Sequence, residues 1–179
     1  MALASGTLVG SSSVSLLSGN AIVLGGADSN DGLMNPVELS DNELTTITTP
    51  VLRIGDINSS AIDIKAAIVL LSGTSLNLTS GGGITQQAGA TIPALPGLRL
   101  SGAFVTLPEA NFAGVIAGSA SSPGGQFKYT SVNPVYVGTV DGVSGITTNN
   151  GDVFLTGNNS LSNGNGLDIA TTINAGTGI

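Results

Sequence analysis

The dominant pattern in this chain is a short alternating strand that ends in a turn. Alternating segments such as Val14-Ser15-Leu16-Leu17, Leu76-Asn77-Leu78-Thr79, Leu98-Arg99-Leu100 and Val153-Phe154-Leu155-Thr156 run at once into turns rich in Gly or Asn. Those turns are Ser18-Gly19-Asn20, Ser80-Gly81-Gly82-Gly83, Ser101-Gly102 and Gly157-Asn158-Asn159. Period-two alternation places Leu, Val and Ile on one face and polar residues on the other. Strands of three to five residues do not stand alone and must stack on neighbours. The longest apolar run, Ala66-Ala67-Ile68-Val69-Leu70-Leu71, falls far below the roughly 18 residues of a membrane helix. The mean hydropathy of +0.40 therefore comes from many short apolar pieces.

The pieces recur. Leu-Ser/Thr-Gly appears at Leu17, Leu71, Leu100 and Leu155, and the segments near Leu52, Leu76 and Leu98 lie 24 and 22 residues apart. Such spacings belong to the range of solenoid coils, about 20–45 residues. The expected fold class is all-β, a parallel β-helix running through residues 1–179 as a single repeat segment. About six to eight coils, each adding about 4.8 Å, make a rod roughly 30–40 Å long. Ser, Thr and Asn are expected outside in ladders, and Gly and Asn at corners where φ is positive. Charged residues are 8% of the chain against roughly 25% in ordinary domains, as suits stacked strands in which like charges repel. A β-sandwich or antiparallel barrel is the alternative for short, evenly spaced strands.

One segment departs from this pattern. In Leu39-Ser40-Asp41-Asn42-Glu43-Leu44, Ser40 is placed as an N-cap and Glu43 completes a capping box. Leu39 and Leu44 occupy the hydrophobic-staple positions. A short helix is predicted over about 41–47, stopped by Pro50 and lying across a face or corner of the stack. No amphipathic cap is evident, so both ends of the stack are expected to expose strand edges and to associate end to end.

Charge and composition exclude several functions. Cys and His are absent, which rules out disulfides, Cys/His zinc sites and an imidazole base within the chain. The net charge is −7, and the four basic residues, Arg53, Lys65, Arg99 and Lys128, are widely spaced. Nucleic acid and anionic membrane surfaces call for a basic cluster, so neither is an expected partner, and the short apolar runs give no expectation of membrane insertion. Met1-Ala2-Leu3-Ala4 does not open a signal peptide, and the C-terminal residues 173–179 stop in a pattern still running. A fragment of a longer filament is expected.

Catalytic, cofactor-binding and metal-binding residues are all expected to be none. Some β-helix enzymes cleave acidic polysaccharides with calcium and a basic residue, and the material here would be Asp28, Asp31, Asp56, Asp63, Lys65 and Arg53. Asp63 and Lys65 share one side of a strand and read as a solvated surface pair, since no acidic cluster recurs at coil spacing. Asp28-Ser29-Asn30-Asp31-Gly32 starts like a calcium loop, but its twelfth position is Leu39 where an EF-hand needs Glu. It reads as an Asx-rich turn. The Thr pairs at 45–46, 48–49, 147–148 and 171–172 are too irregular for an ice-binding array.

Ala21-Ile22-Val23-Leu24-Gly25-Gly26-Ala27-Asp28, the segment Leu39–Asp56, residues 81–90 and the run from Val137 to Val153 together resemble repeat modules of the filamentous haemagglutinin family. The resemblance covers most of the chain from Ala21 onward. It implies a right-handed parallel β-helix within a two-partner-secretion exoprotein or autotransporter passenger. It further implies an extracellular location at the bacterial surface and attachment to host-cell, bacterial or glycan receptors, with neighbouring coils of the same filament as further partners. The expected contact region is a loop over residues 118–126, containing Ser119 and Ser121, with Phe127, Tyr129 and Tyr136 following it. A polysaccharide lyase or hydrolase and a pure spacer are the competing functions.

Overall fold

The structure is a computed structural model that describes residues 7–26, 36–158 and 167–176. The chain begins with β1 (Leu8–Val9), β2 (Val14–Leu16) and β3 (Ile22–Leu24). It continues through β4 (Val37–Leu39), the helix α1 (Asp41–Leu44), β5 (Ile47–Thr48), β6 (Val51–Ile54) and β7 (Ile62–Ile64). Next come β8 (Ser75–Thr79), β9 (Ile84–Gln86), β10 (Leu95–Gly102), β11 (Val105–Asn111), β12 (Ala113–Pro123) and β13 (Phe127–Ser131). The last part holds β14 (Val135–Val137), β15 (Thr139–Val140), β16 (Val143–Ser144), β17 (Ile146–Asn149), β18 (Val153–Thr156), β19 (Leu167–Ile169) and β20 (Ile173–Asn174).

Two long sheets collect most of these strands. The first is ordered β19-β14-β12-β10-β8-β6-β2, with β17 pairing β12 and β20 pairing β17. The second is ordered β18-β13-β11-β9-β7-β3-β4. From β6 to β13 the chain alternates between sheets, so each strand lies beside the one two places earlier and runs parallel to it. Hairpin-built sandwiches and barrels pair consecutive strands antiparallel. Among the described residues only β15 and β16 do so. The antiparallel alternative is thereby removed, and the chain is all-β with long parallel sheets.

Register converts the alternation into columns. In the first sheet Val14, Leu52, Leu76, Leu98, Ile116 and Val137 stack in order, and Leu16, Ile54, Leu78 and Leu100 form the next column. In the second, Ile22, Ile62, Ile84, Val105, Phe127 and Val153 stack in the same way. Leu52, Leu76, Leu98, Ile62, Ile84, Val105 and Phe127 are all buried. Each such Leu, Ile or Phe contributes about 1.5–3 kcal/mol by leaving water. A slip of one residue in any strand would turn its column outward.

A polar pair is set into this core. Gln86 ends β9 and Asn111 ends β11, and their amides exchange hydrogen bonds: Gln86 Nε2 donates to Asn111 Oδ1 (2.6 Å) and Asn111 Nδ2 to Gln86 Oε1 (3.1 Å). Asn111 Oδ1 also accepts from the Ile92 N–H (3.0 Å), and Asn111 Nδ2 donates to the Glu109 carbonyl (2.9 Å). Buried amides are tolerated only when partnered this fully. The Tyr129 hydroxyl is different: it is buried without a hydrogen bond. Burial pushes its pKa far up, and the nearby Ser131 hydroxyl works in the opposite direction.

The helix forms at the position expected but is shorter. The Ser40 side chain accepts from the Glu43 N–H, and the Ser40 N–H donates to Glu43 Oε2 (2.8 Å), completing the capping box. Leu39 and Leu44 are both in the core. The helix ends at Leu44 rather than 47 because Thr45 and Thr46 turn their hydroxyls onto the carbonyls of Asn42 and Glu43, and Ile47–Thr48 pairs with β1. Side-chain to backbone bonds of this kind compete with helix continuation. The helix lies against the connection after β7, where the Val69 N–H donates to Asp41 Oδ1 (3.2 Å).

The two ends differ among the described residues. At the N-terminal side the two sheets end on β2 and on β4, whose Leu39 is buried. At the C-terminal side Phe154, Leu167 and Ile169 are exposed on β18 and β19.

Candidate interaction site on the outer face of the first sheet

The expected contact loop is mostly strand. Residues 113–123 form β12, an inner strand of the first sheet, and only Gly124–Gln126 turn toward β13. Ser119 belongs to an outward row that runs Thr79, Ser101, Ser119, Thr147 and Asn174 across successive strands. Ser121 is exposed and its hydroxyl donates to the Gly102 carbonyl (3.2 Å). Phe127 and Tyr129 are buried, inward members of β13, so they are core residues and present no surface. Tyr136 is exposed on β14 and lines a shallow cavity of about 260 Å³ with Phe112, Asn133 and Pro134.

The raw material for polysaccharide chemistry is not gathered either. Arg53 stands on β6 of the first sheet, whereas Asp63 stands on β7 of the second and Lys65 follows it. Asp63 does not pair with Lys65; its carboxylate accepts from Thr85 Oγ1 (3.1 Å) and from Gln87 Nε2. Asp56 closes an Asx turn, accepting from the Asn58 N–H (2.8 Å). Asp28 and Asp31 lie outside the described residues. Among the described residues no group of three acidic side chains could hold a metal ion.

What the fold does gather is a cluster across the outer face of the first sheet. Ser15, Arg53, Asn77, Arg99 and Ala117 form one outward column, on β2, β6, β8, β10 and β12. Over it lies the hairpin of β15 and β16. The hairpin is inserted where a single strand would otherwise run: Val137 and Ile146 both pair with β12, and the chain leaves the sheet between them. Its turn, Asp141-Gly142, has positive φ at both residues (45° and 78°), as a two-residue type I′ turn requires. Val140 is buried on the sheet, its Cγ1 3.0 Å from where a side chain on Gly97 would begin. Ala117 is fully buried and Asn77 is 4% exposed although both point out of the sheet.

Asp141 is the centre of this cluster. Its carboxylate accepts two hydrogen bonds from one guanidinium, Arg53 Nε (2.7 Å) and Arg53 Nη2 (2.6 Å), and a third from Asn77 Nδ2 (2.6 Å). Arg99 approaches from the next strand, its Nη1 4.0 Å from Asp141 Oδ2 and 3.4 Å from the Asp141 carbonyl oxygen. The side chain of Asp141 is 10% exposed, that of Arg53 39% and that of Arg99 23%. The Arg53 hydrogen bonds hold the Asp141 carboxyl below its usual pKa, helped by Asn77 and both guanidinium charges and opposed by burial. A carboxylate held by three donors, with its pKa lowered, is poorly suited to general-base work. The arrangement is one that binds a carboxylate.

The Asp-Gly pair between Val140 and Val143 is a hairpin signal readable from sequence. Its docking on Arg53 is not, because 88 residues separate the partners. No family model, curated protein or solved structure matches the chain.

Proposed function

We propose that this chain is a right-handed parallel β-helical segment of a secreted bacterial surface filament, serving attachment and not catalysis. The observation that carries the reading is the strand order: from β6 to β13 consecutive strands alternate between two sheets, and over that span each sheet adds its strands in chain order and in parallel. A chain that winds as a solenoid produces this order. Parallel crossovers within one sheet are right-handed in about 98% of cases, which supports the hand. The filament role is supported by the resemblance of residues 21–28, 39–56, 81–90 and 137–153 to filamentous haemagglutinin repeats. It is also supported by the outward row of hydroxyl and amide side chains through Ser119 and the exposed Tyr136. The proposed partners are receptors on host cells, bacteria or glycans, in an extracellular setting, with no nucleic acid and no membrane insertion.

Two experiments test the reading. The chain has no Cys, so a Ser101→Cys/Ser119→Cys pair reports directly on register. These residues are aligned neighbours on β10 and β12, at a spacing a disulfide spans, and the bridge is expected to form under mild oxidation. Failure to form it would overturn the stacked arrangement. Saturable binding of the purified folded chain to cells or a glycan panel is expected for attachment. A blank panel with an intact bridge would reduce the chain to a spacer.

A further inference from the structure

We propose that Arg53, Asn77 and Arg99 form a carboxylate-binding site, and that the β15–β16 hairpin is a movable plug whose Asp141 occupies it. The ligand class is an acidic side chain presented on a polypeptide turn, as Asp141 itself is.

The donors are held by the sheet and not by the hairpin. Arg53 Nη1 donates to Ser13 Oγ (2.7 Å), ahead of β2. The Asn77 Oδ1 accepts from Thr79 Oγ1 (2.9 Å), which leaves the Asn77 NH₂ pointing toward the carboxylate. Arg99 Nε lies 3.4 Å from Ser101 Oγ. Three adjacent strands therefore offer a fork, an amide and a second guanidinium in fixed positions whether or not Asp141 is present. Two of the chain's four basic residues stand two strands apart here, so a vacant site carries uncompensated positive charge and attracts an anion.

The plug is lightly attached. Each hairpin strand is two residues long. Val140 is its one buried apolar side chain. The root closes with a hydrogen bond from the Gly145 N–H to the Gly138 carbonyl (2.8 Å), and Gly145 has φ of 77°. Gly138 and Gly145 tie the root to β12, through Gly138 N–H to the Ile116 carbonyl (3.0 Å) and Gly118 N–H to the Gly145 carbonyl (2.9 Å), so movement of the plug is confined to residues 139–144. The tethered Asp141 competes at an effective concentration on the order of millimolar or more, so an external carboxylate binds weakly until Asp141 is removed or displaced. The site does not depend on the attachment role proposed above.

The experiment compares the wild-type chain with Asp141→Gly, which keeps a residue suited to positive φ in the turn. Both are titrated with an acetylated, amidated hexapeptide copying residues 139–144, and binding is read from the Asn77 side-chain amide signals in proton–nitrogen NMR spectra. The peptide is expected to bind Asp141→Gly at least about 10-fold more tightly than wild type. Binding is expected to vanish with a peptide carrying Asn in place of its Asp, and in the Asp141→Gly/Arg53→Gln double variant with a folded spectrum. Equal affinity for wild type and Asp141→Gly, or undiminished binding of the Asn peptide, would overturn the proposal. Free galacturonate separates carboxylate sources: tighter binding than the peptide would overturn the assignment to polypeptide side chains.

Discussion

Arg53 and Asp141 lie 88 residues apart and form a two-pronged ion pair on the outside of the first sheet, with Arg53 Nε and Nη2 on the two oxygens of one carboxylate. The pair joins the sixth strand to the tip of a hairpin that begins after β14. Because Arg53 is more than a third exposed, solvent screening limits the pair to about 1 kcal/mol. Asp141→Asn and Arg53→Gln should each destabilise by about that amount, and the double variant by less than the sum. Urea midpoints at 50 mM and 500 mM salt measure the coupling, which should shrink at high salt.

Acid should release the hairpin. The folded-state pKa of Asp141 is lowered, chiefly by the Arg53 hydrogen bonds, from an unfolded value of about 3.9. Stability from this group is therefore fully present above that value and is lost as pH falls through the lower folded value. The groups facing Asp141 are Arg53, Arg99 and Asn77. The stability gap between wild type and Asp141→Asn should stay constant between about pH 5 and 7 and close below about pH 4. A gap that does not narrow at all below about pH 4 would count against this linkage.

Gly97 is the seat of the hairpin. A side chain there would begin 3.0 Å from Val140 Cγ1 and 3.3 Å from Ser75 Oγ. Gly97→Val should lift the hairpin while leaving the inward columns packed. Hydrogen exchange is expected to rise at residues 139–144 and to stay slow at Leu76, Leu78 and Leu98.

Asn111 joins three elements. Replacing it with Leu removes the acceptor of the Ile92 N–H and of the Gln86 NH₂ inside the core, while Gln86 Oε1 keeps the Glu109 N–H. Unpaired buried groups cost about 1–3 kcal/mol each, so Asn111→Leu should destabilise by at least about 2 kcal/mol in chemical denaturation. A cost below about 0.5 kcal/mol would show that water replaces the amide.

Phe127 and Tyr129 separate packing from contact. Phe127→Ala should cost about 3–5 kcal/mol through the cavity it leaves, so any loss of attachment in that variant reports unfolding. Tyr129→Phe removes a buried hydroxyl that makes no hydrogen bond and should leave stability unchanged or raise it by about 1 kcal/mol. Exposed Ser121 and Tyr136 are the positions at which a change in attachment can be read without a change in folding.

The short alternating segments around Leu52, Leu76 and Leu98 were legible as stacked strands because side-chain alternation is a local property. The Ser40–Glu43 capping box was legible for the same reason, being closed within four residues. The helix ends a few residues before its sequence pattern does, because the pairing of Ile47 with Leu8 is a contact between distant parts of the chain. The stretch containing Ser119 read as a loop on its small polar residues, yet it pairs on both sides, with β10 and with β17. Gly, Ala and Ser suit a strand whose outer face is overlaid by another segment, and nothing local reports the overlay.

By itself the sequence determined a chain built mostly of short strands and sharp corners: its apolar residues alternate in brief runs, and glycine or asparagine follows many of them. Tertiary structure alone decided what lies on the outside of those strands. Which of four scattered basic residues meets Asp141, and which outward residues become buried, depends on where a hairpin inserted late in the chain comes to rest. That choice is made by packing and electrostatics between segments far apart in sequence, where local propensity carries no information.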